Sequence, residues 1–209
     1  MSVRLTGMQL FGTITGVVIL TVPALPLAGL AVWVLARRRA GEPRPWRRSL
    51  AEVGIVYGTV PWLWMILLPN NGPAGREPRV NLVPLRDLIE VLSGSPLAAA
   101  LQVVGNLLVF AALGFFGPIR FPALASIRRM LVVGAAGSVL VETLQYVLRL
   151  DRVSSIDDVL LNTAGAGLAA WASRRWWRET NAAGGREANV AGGPETNAAG
   201  PAPAPAIRE

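Results

Sequence analysis

Five apolar runs, separated by short joints that carry most of the arginines, dictate what this chain can become. They extend from about Leu10 to Leu35, Leu50 to Leu68, Leu97 to Phe116, Met130 to Leu148 and Asp157 to Trp171. A helix needs roughly 20 apolar residues to cross the hydrocarbon of a bilayer. Helices and closed barrels alone can do so, because every backbone polar group must find its partner inside the structure. With 52% hydrophobic residues in 209, the chain carries more apolar side chain than a soluble core of this size absorbs. The pattern predicts an all-α, polytopic integral membrane bundle of about five transmembrane helices, the fifth the shortest.

All 20 basic residues are arginine, and the net charge is +7. Gathered on one soluble face they would suggest nucleic acid. They fall instead between apolar runs, so no nucleic-acid partner is expected. The joints after the first, third and fifth runs hold twelve arginines, and the N-terminus with the other two joints holds six. Arginine marks the cytoplasmic side, which predicts an external N-terminus and a cytoplasmic C-terminus.

Along the chain, residues 1–49 read as a transmembrane anchor, kinked by Pro23 and Pro26, followed by a basic cytoplasmic loop. Residues 50–178 form the main transmembrane domain. Glu52 at its start calls for no function, Arg86 to Leu92 suggests a short interfacial helix, and Trp176 and Trp177 among arginines suggest an interfacial anchor. From Glu179 to Glu209 the composition turns to Ala, Gly, Asn, Pro and Glu with an eight-residue repeat, and a disordered tail is expected.

There is no cysteine and no histidine. Disulfides, thiolate nucleophiles and imidazole bases are excluded, no metal-ligand set is assigned, and any cofactor is left open. Chemistry must come from carboxylates, amides, hydroxyls and arginine. Such groups are costly in hydrocarbon, yet they concentrate between Ser138 and Gly167. Glu142, Gln145 and Arg149 share one helical face, as do Gln102 and Asn106, and again Asp158, Asn162 and Gly165. At about 1.5 Å per residue, Gln102 and Asn106 lie roughly 7 and 13 Å below the outer surface, Gln145 and Glu142 roughly 7 and 12 Å, and Asn162 roughly 7 Å. Three helices thus offer polar groups at one level.

Each group also has a structural reading. Gln102 taken alone reads as an interhelical hydrogen bond. Glu142 reads as a functional carboxylate or as half of an ion pair with an arginine. Asp157 reads as a helix cap, Asp158 equally as cap or site residue, and Ser154 or Ser155 would serve as the cap just as well. Gly165 and Gly167 allow close approach of a neighbouring helix.

The runs "NLVPL" from Asn81, "GNLLVFAALGFF" from Gly105, "ETLQ" from Glu142 and "RVSSIDDVLLNTAGAGLA" from Arg152 together resemble the VanZ-like family of small bacterial membrane proteins. The resemblance covers Tyr57 to Trp171 and matches Asn81, Asn106, Glu142, Gln145, Arg152, Asp158 and Asn162. Arg149 is added from helical spacing. One departure is visible: Ala111 and Ala112 stand where the family often has a proline shortly before the glycine at Gly114.

The resemblance implies a multi-pass protein of the bacterial cytoplasmic membrane, and the family's founding member is associated with low-level resistance to the glycopeptide teicoplanin. By analogy with membrane families that work on phospholipid or lipid-linked sugar headgroups, the expected partner is a membrane lipid or lipid-linked envelope precursor. In that reading Glu142 is general base or nucleophile, and Arg152 or Arg149 binds phosphate. Asp158 positions Arg152 or assists a divalent ion, and Asn81, Asn106, Gln145 and Asn162 orient the substrate. A headgroup-modifying hydrolase or transferase and a non-enzymatic protein that binds an envelope lipid or glycopeptide both fit. The oligomeric state is left open.

Overall fold

The computed structural model describes residues 14–69, 79–94, 96–150 and 153–179. The repeat tail and Arg152 lie outside them. Helices α1 (Ile14–Arg38), α2 (Pro45–Leu67), α3 (Arg86–Gly94), α4 (Pro96–Val109), α5 (Ala111–Arg120), α6 (Ile127–Val147) and α7 (Ile156–Ala172) carry the fold. Two short strands, β1 (Arg79–Asn81) and β2 (Val153–Ser155), accompany them.

The expected all-α bundle is present. Four stretches, Gly16–Arg38, Pro45–Leu67, Ala99–Arg120 and Ile127–Val147, are long and apolar enough to cross a membrane. The third is α4 and α5 in line, interrupted at Phe110, whose φ of −109° and ψ of 8° leave the helical region. With 17 residues, α7 rises about 25 Å, a little less than the hydrocarbon thickness of about 30 Å. It packs against α6 and against α4 and α5, with Leu160, Leu168 and Trp171 still exposed.

That close packing depends on residues without side chains. A Cβ on Gly165 would stand 2.0 Å from the carbonyl oxygen of Leu107, and one on Gly114 would stand 2.2 Å from that of Ala166. The backbones of α7, α4 and α5 therefore touch directly, as small residues permit between membrane helices. Ile66, Val109, Phe110, Val141 and Ala166 form the buried apolar cluster around this crossing.

At the arginine-rich end, Glu52 has a role that its position in the sequence did not suggest. Its carboxylate receives Arg39, just past α1, at 2.7 Å and also Arg120, the last residue of α5, so one acid ties three helices together. Further along, the Tyr57 hydroxyl donates to the carbonyl of Thr21 and holds α1 against α2. Trp177 differs from the expected interfacial anchor. It is buried, and its indole N–H donates to the carbonyl of Ala170.

At the opposite end, β1 and β2 pair in parallel, with Asn81 opposite Ser155. A three-residue strand has no period to read, so nothing in the hydrophobic pattern announced this ladder. The short helix expected at Arg86 to Leu92 is α3. Its start is fixed by Asp157, 2% exposed, whose carboxylate accepts the N–H groups of Leu85 and Leu88. The capping expected of Asp157 is thus real but serves another helix. Ser155 caps α7 itself, accepting the N–H of Asp157 at 3.2 Å.

Candidate functional site

Glu142 lies near the end of α6, and the chain after that helix folds back onto it. The N–H of Ser155 donates to Glu142 Oε2 at 3.1 Å, and the Ser154 hydroxyl donates to the Glu142 carbonyl at 3.1 Å. The fold-back begins with Arg149 at φ 50°, an uncommon left-handed conformation for a residue other than glycine. It lets Leu150 N–H return to the carbonyl of Gln145 and closes the exposed helix end.

A cleft of about 290 Å³ opens beside Glu142. Val139, Thr143 and Tyr146 of α6 form one wall, Val80 and Leu82 of the β1 segment a second, and Ile156 and Val159 of α7 a third. Ser154 and Ser155 stand at its head. One oriented carboxylate therefore meets a space whose other walls are mainly hydrocarbon.

Asp158 makes a second polar group toward α4. Asn106 Nδ2 donates to its Oδ1, and Gln102, one turn earlier on the face that spacing predicted, adds a second side-chain hydrogen bond to the carboxylate. Two amides answer one partly buried acid, the kind of pairing that polar groups at membrane depth require.

The remaining candidates are engaged in packing. Gln145 is buried, and its Nε2 donates at 2.9 Å to the carbonyl of Ile66, one of the last-turn carbonyls that α2 cannot satisfy itself. Asn162, 2% exposed, donates to the Ser138 hydroxyl at 2.8 Å and locks α7 to α6. Asn81 donates to Asp87 and accepts Val83 N–H at 3.1 Å, shaping the turn from β1 into α3. Arg149 is exposed at the end of α6.

The polar level expected from depth thus resolves into separate contacts. Glu142 faces the cleft; Asp158 with Asn106 and Gln102 faces α4; Gln145 and Asn162 join helices. Sequence reasoning missed Thr143, Tyr146, Ser154 and Ser155 as cleft residues. The available signal was the short joint between Glu142 and Ser155, which forces the end of α6 and the start of α7 together. Among the described residues no three of His, Cys, Asp and Glu gather into a metal-holding group.

A family model described as VanZ/LLP1 matches residues 55–177, more than half of the chain. The chain belongs to the VanZ/LLP1 family. No curated protein and no solved structure matches it. The VanZ/LLP1 segment contains both strands, α3 to α7 and every candidate residue discussed above, while α1 and Glu52 precede it. The proline missing before Gly114 is not needed to interrupt the third span, since α4 ends at Val109 and α5 starts at Ala111 without it. Ala112 instead meets α2, where a Cβ on Gly58 would come within 2.5 Å of its own Cβ.

Proposed function

We propose that this VanZ/LLP1 protein acts on a membrane lipid or lipid-linked envelope precursor at the external end of the bundle, with Glu142 activating the attacking water or hydroxyl. The supporting observation is the Glu142 carboxylate, oriented by Ser155 N–H, at the head of a cleft with apolar walls. In a chain without histidine or cysteine, a carboxylate is the strong base on hand. The proposed orientation, N-terminus outside and C-terminus in the cytoplasm, places the cleft at the outer leaflet of the bacterial cytoplasmic membrane.

A binding protein without catalysis is the second reading. It is favoured by the hydroxyls of Ser154 and Thr143, whose protons go to backbone carbonyls and which are therefore not poised as nucleophiles. Comparing the lipid and lipid-linked precursor profile of cells with and without the protein separates the two. A new or missing headgroup species supports the enzyme. An unchanged profile with altered glycopeptide sensitivity supports binding.

A further inference from the structure

Arginines from three joints far apart in the sequence are drawn to one end of the bundle and tied together there. Glu52 receives Arg39, just past α1, and Arg120, at the end of α5. Glu179, beyond the end of α7, reaches Arg47 in the first turn of α2 at 3.7 Å. Trp176 meets Phe115 of α5 edge-on, with ring centroids 5.1 Å apart. The described residues of this end hold twelve arginines against three acids, Glu42, Glu52 and Glu179, an excess of nine positive charges. All three acids are already paired, Glu42 with Arg48 at 2.8 Å. Residues 180–209 add two arginines and three glutamates, so their side chains cannot balance the excess. The described residues of the opposite end carry three arginines against five acids.

An orientation signal needs arginine only in the joints. Here pairs also occupy the first turns of two long helices, Arg47 and Arg48 in α2, and Arg128 and Arg129 in α6. Neither helix has an acid in its first turn or a side-chain cap. A cation in that place meets the positive end of the helix dipole, so the arrangement is unfavourable until an anion joins it from outside. Two tryptophans fix the level. Trp33, inside the span Gly16–Arg38, lies 5.2 Å beneath the guanidinium of Arg37, and Trp171, at the end of α7, lies 5.0 Å beneath that of Arg174. Both indoles are exposed. Exposed indoles at the ends of apolar helices settle among lipid headgroups, which brings the guanidinium groups to the phosphates.

We propose that the arginine-rich end is a docking surface for anionic phospholipids of the surrounding leaflet, whose phosphates complete the charge balance of the three joints. Guanidinium groups take phosphate oxygens bidentately, and an anionic lipid brings the net negative charge that a zwitterionic lipid lacks. Free phosphate or a nucleic acid would also bring charge. The indole–guanidinium pairs, however, stand on helices that continue into hydrocarbon, where lipid is the anion within reach. The surface lies at the other end of the bundle from Glu142 and does not depend on what that residue does.

The test reconstitutes the full chain in phosphatidylcholine with a trace of spin-labelled phosphatidylglycerol or spin-labelled phosphatidylcholine, and compares the motionally restricted fraction of each label. The protein should hold phosphatidylglycerol roughly fivefold over phosphatidylcholine in low salt, about what one arginine contributes at an anionic surface, and lose most of that preference in high salt. Equal restriction of the two labels by the wild-type chain overturns the proposal, whatever the variants do. Arg38, Arg128 and Arg175 are exposed, one from each joint, and form no ion pair among the described residues. The triple change Arg38→Gln, Arg128→Gln and Arg175→Gln should reduce the preference to about twofold or less, whereas Arg86→Gln, which removes an exposed charge from the opposite end, should leave it in place. A preference that the triple variant keeps would place the lipid elsewhere and overturn the assignment. Inorganic phosphate and a short RNA, added at constant ionic strength, complete the test. Neither should release the phosphatidylglycerol label, and release by either would make a soluble anion the partner and overturn the lipid.

Discussion

The carboxylate of Asp157 and the backbone of Leu85 are joined across seventy-two residues: Oδ1 accepts Leu85 N–H, while Oδ2 accepts Leu88 N–H at 3.1 Å. The first turn of α7 thereby sets where α3 begins. It also holds Leu85 at φ 64°, a conformation that costs a residue with a side chain roughly 1–3 kcal/mol.

Asp157→Ala should release that start. Two amides lose a charged acceptor, a penalty of about 1–3 kcal/mol. Hydrogen exchange over 85–91 should quicken while exchange in α6 does not. Asp157→Asn retains an acceptor oxygen and should lose less. Unchanged exchange in α3 for both variants would mean that the contact contributes nothing.

Gly165→Ala and Gly114→Ala should both weaken the bundle, because each new methyl meets a backbone oxygen that cannot turn away. Overpacking of this kind typically costs about 1–3 kcal/mol and here stands at the upper end. Gly29→Ala, with nothing within 4 Å of the added carbon, is the control and should melt at least as high as wild type in detergent. Equal melting of all three variants would contradict the backbone contact.

Glu52→Gln leaves Arg39 and Arg120 without their shared carboxylate. The three side chains are about one-quarter exposed, at 23%, 24% and 26%. The loss should therefore fall between the roughly 1 kcal/mol ceiling of exposed pairs and the about 3–5 kcal/mol of buried ones. Thermal melts in low and high salt provide the check. A difference from wild type that disappears in high salt would place the pair among the screened, exposed kind.

Glu142→Gln keeps an oxygen that can accept Ser155 N–H and, if Glu142 is the base of the proposed function, should accumulate in the membrane while losing that activity. Gln145→Leu should do the opposite. It strands the carbonyl of Ile66, costs about 1–3 kcal/mol, and spares chemistry in the molecules that remain folded. Stability and cellular function measured on both variants decide the matter. Joint loss of stability and function in Glu142→Gln would make Glu142 a structural residue.

A reporter fused after Trp177 should be cytoplasmic, and one inserted after Gly94 should be external. The reason is the twelve-to-six division of arginines between the two sets of joints. An external reporter at Trp177 would invert the whole bundle and put the Glu142 cleft on the cytoplasmic side.

What the sequence made legible were features with a period or a length. Apolar runs located the helices to within a few residues, and four-residue spacing put Gln102 and Asn106 on one side, where both meet Asp158. Depth along the axis predicted that Glu142, Gln145, Asn106 and Asn162 share a level, but depth carries no information about azimuth between helices. Gln145 therefore turned toward Ile66 and Asn162 toward Ser138, away from the cleft. The ladder was illegible because its two strands are three residues each, and Glu52 because its partners Arg39 and Arg120 come from different joints. The small residues of α7 signalled close approach; that Gly165 meets Leu107 needed the crossing itself.

The parallel ladder also governs the order in which the protein is made. β1 is synthesised before α4, α5 and α6, and β2 after them, so the pair closes a long loop whose entropy must be met late. Chains emerge N-terminus first, which means that β1 waits, one edge uncovered, while the helices between are inserted. A nascent chain halted before Val153 would carry all four of the long spans and yet lack Ser154 and Ser155, the Asp157 cap for α3 and the α7 wall of the cleft beside Glu142. The cleft beside Glu142 is therefore complete only once the last helix is in place.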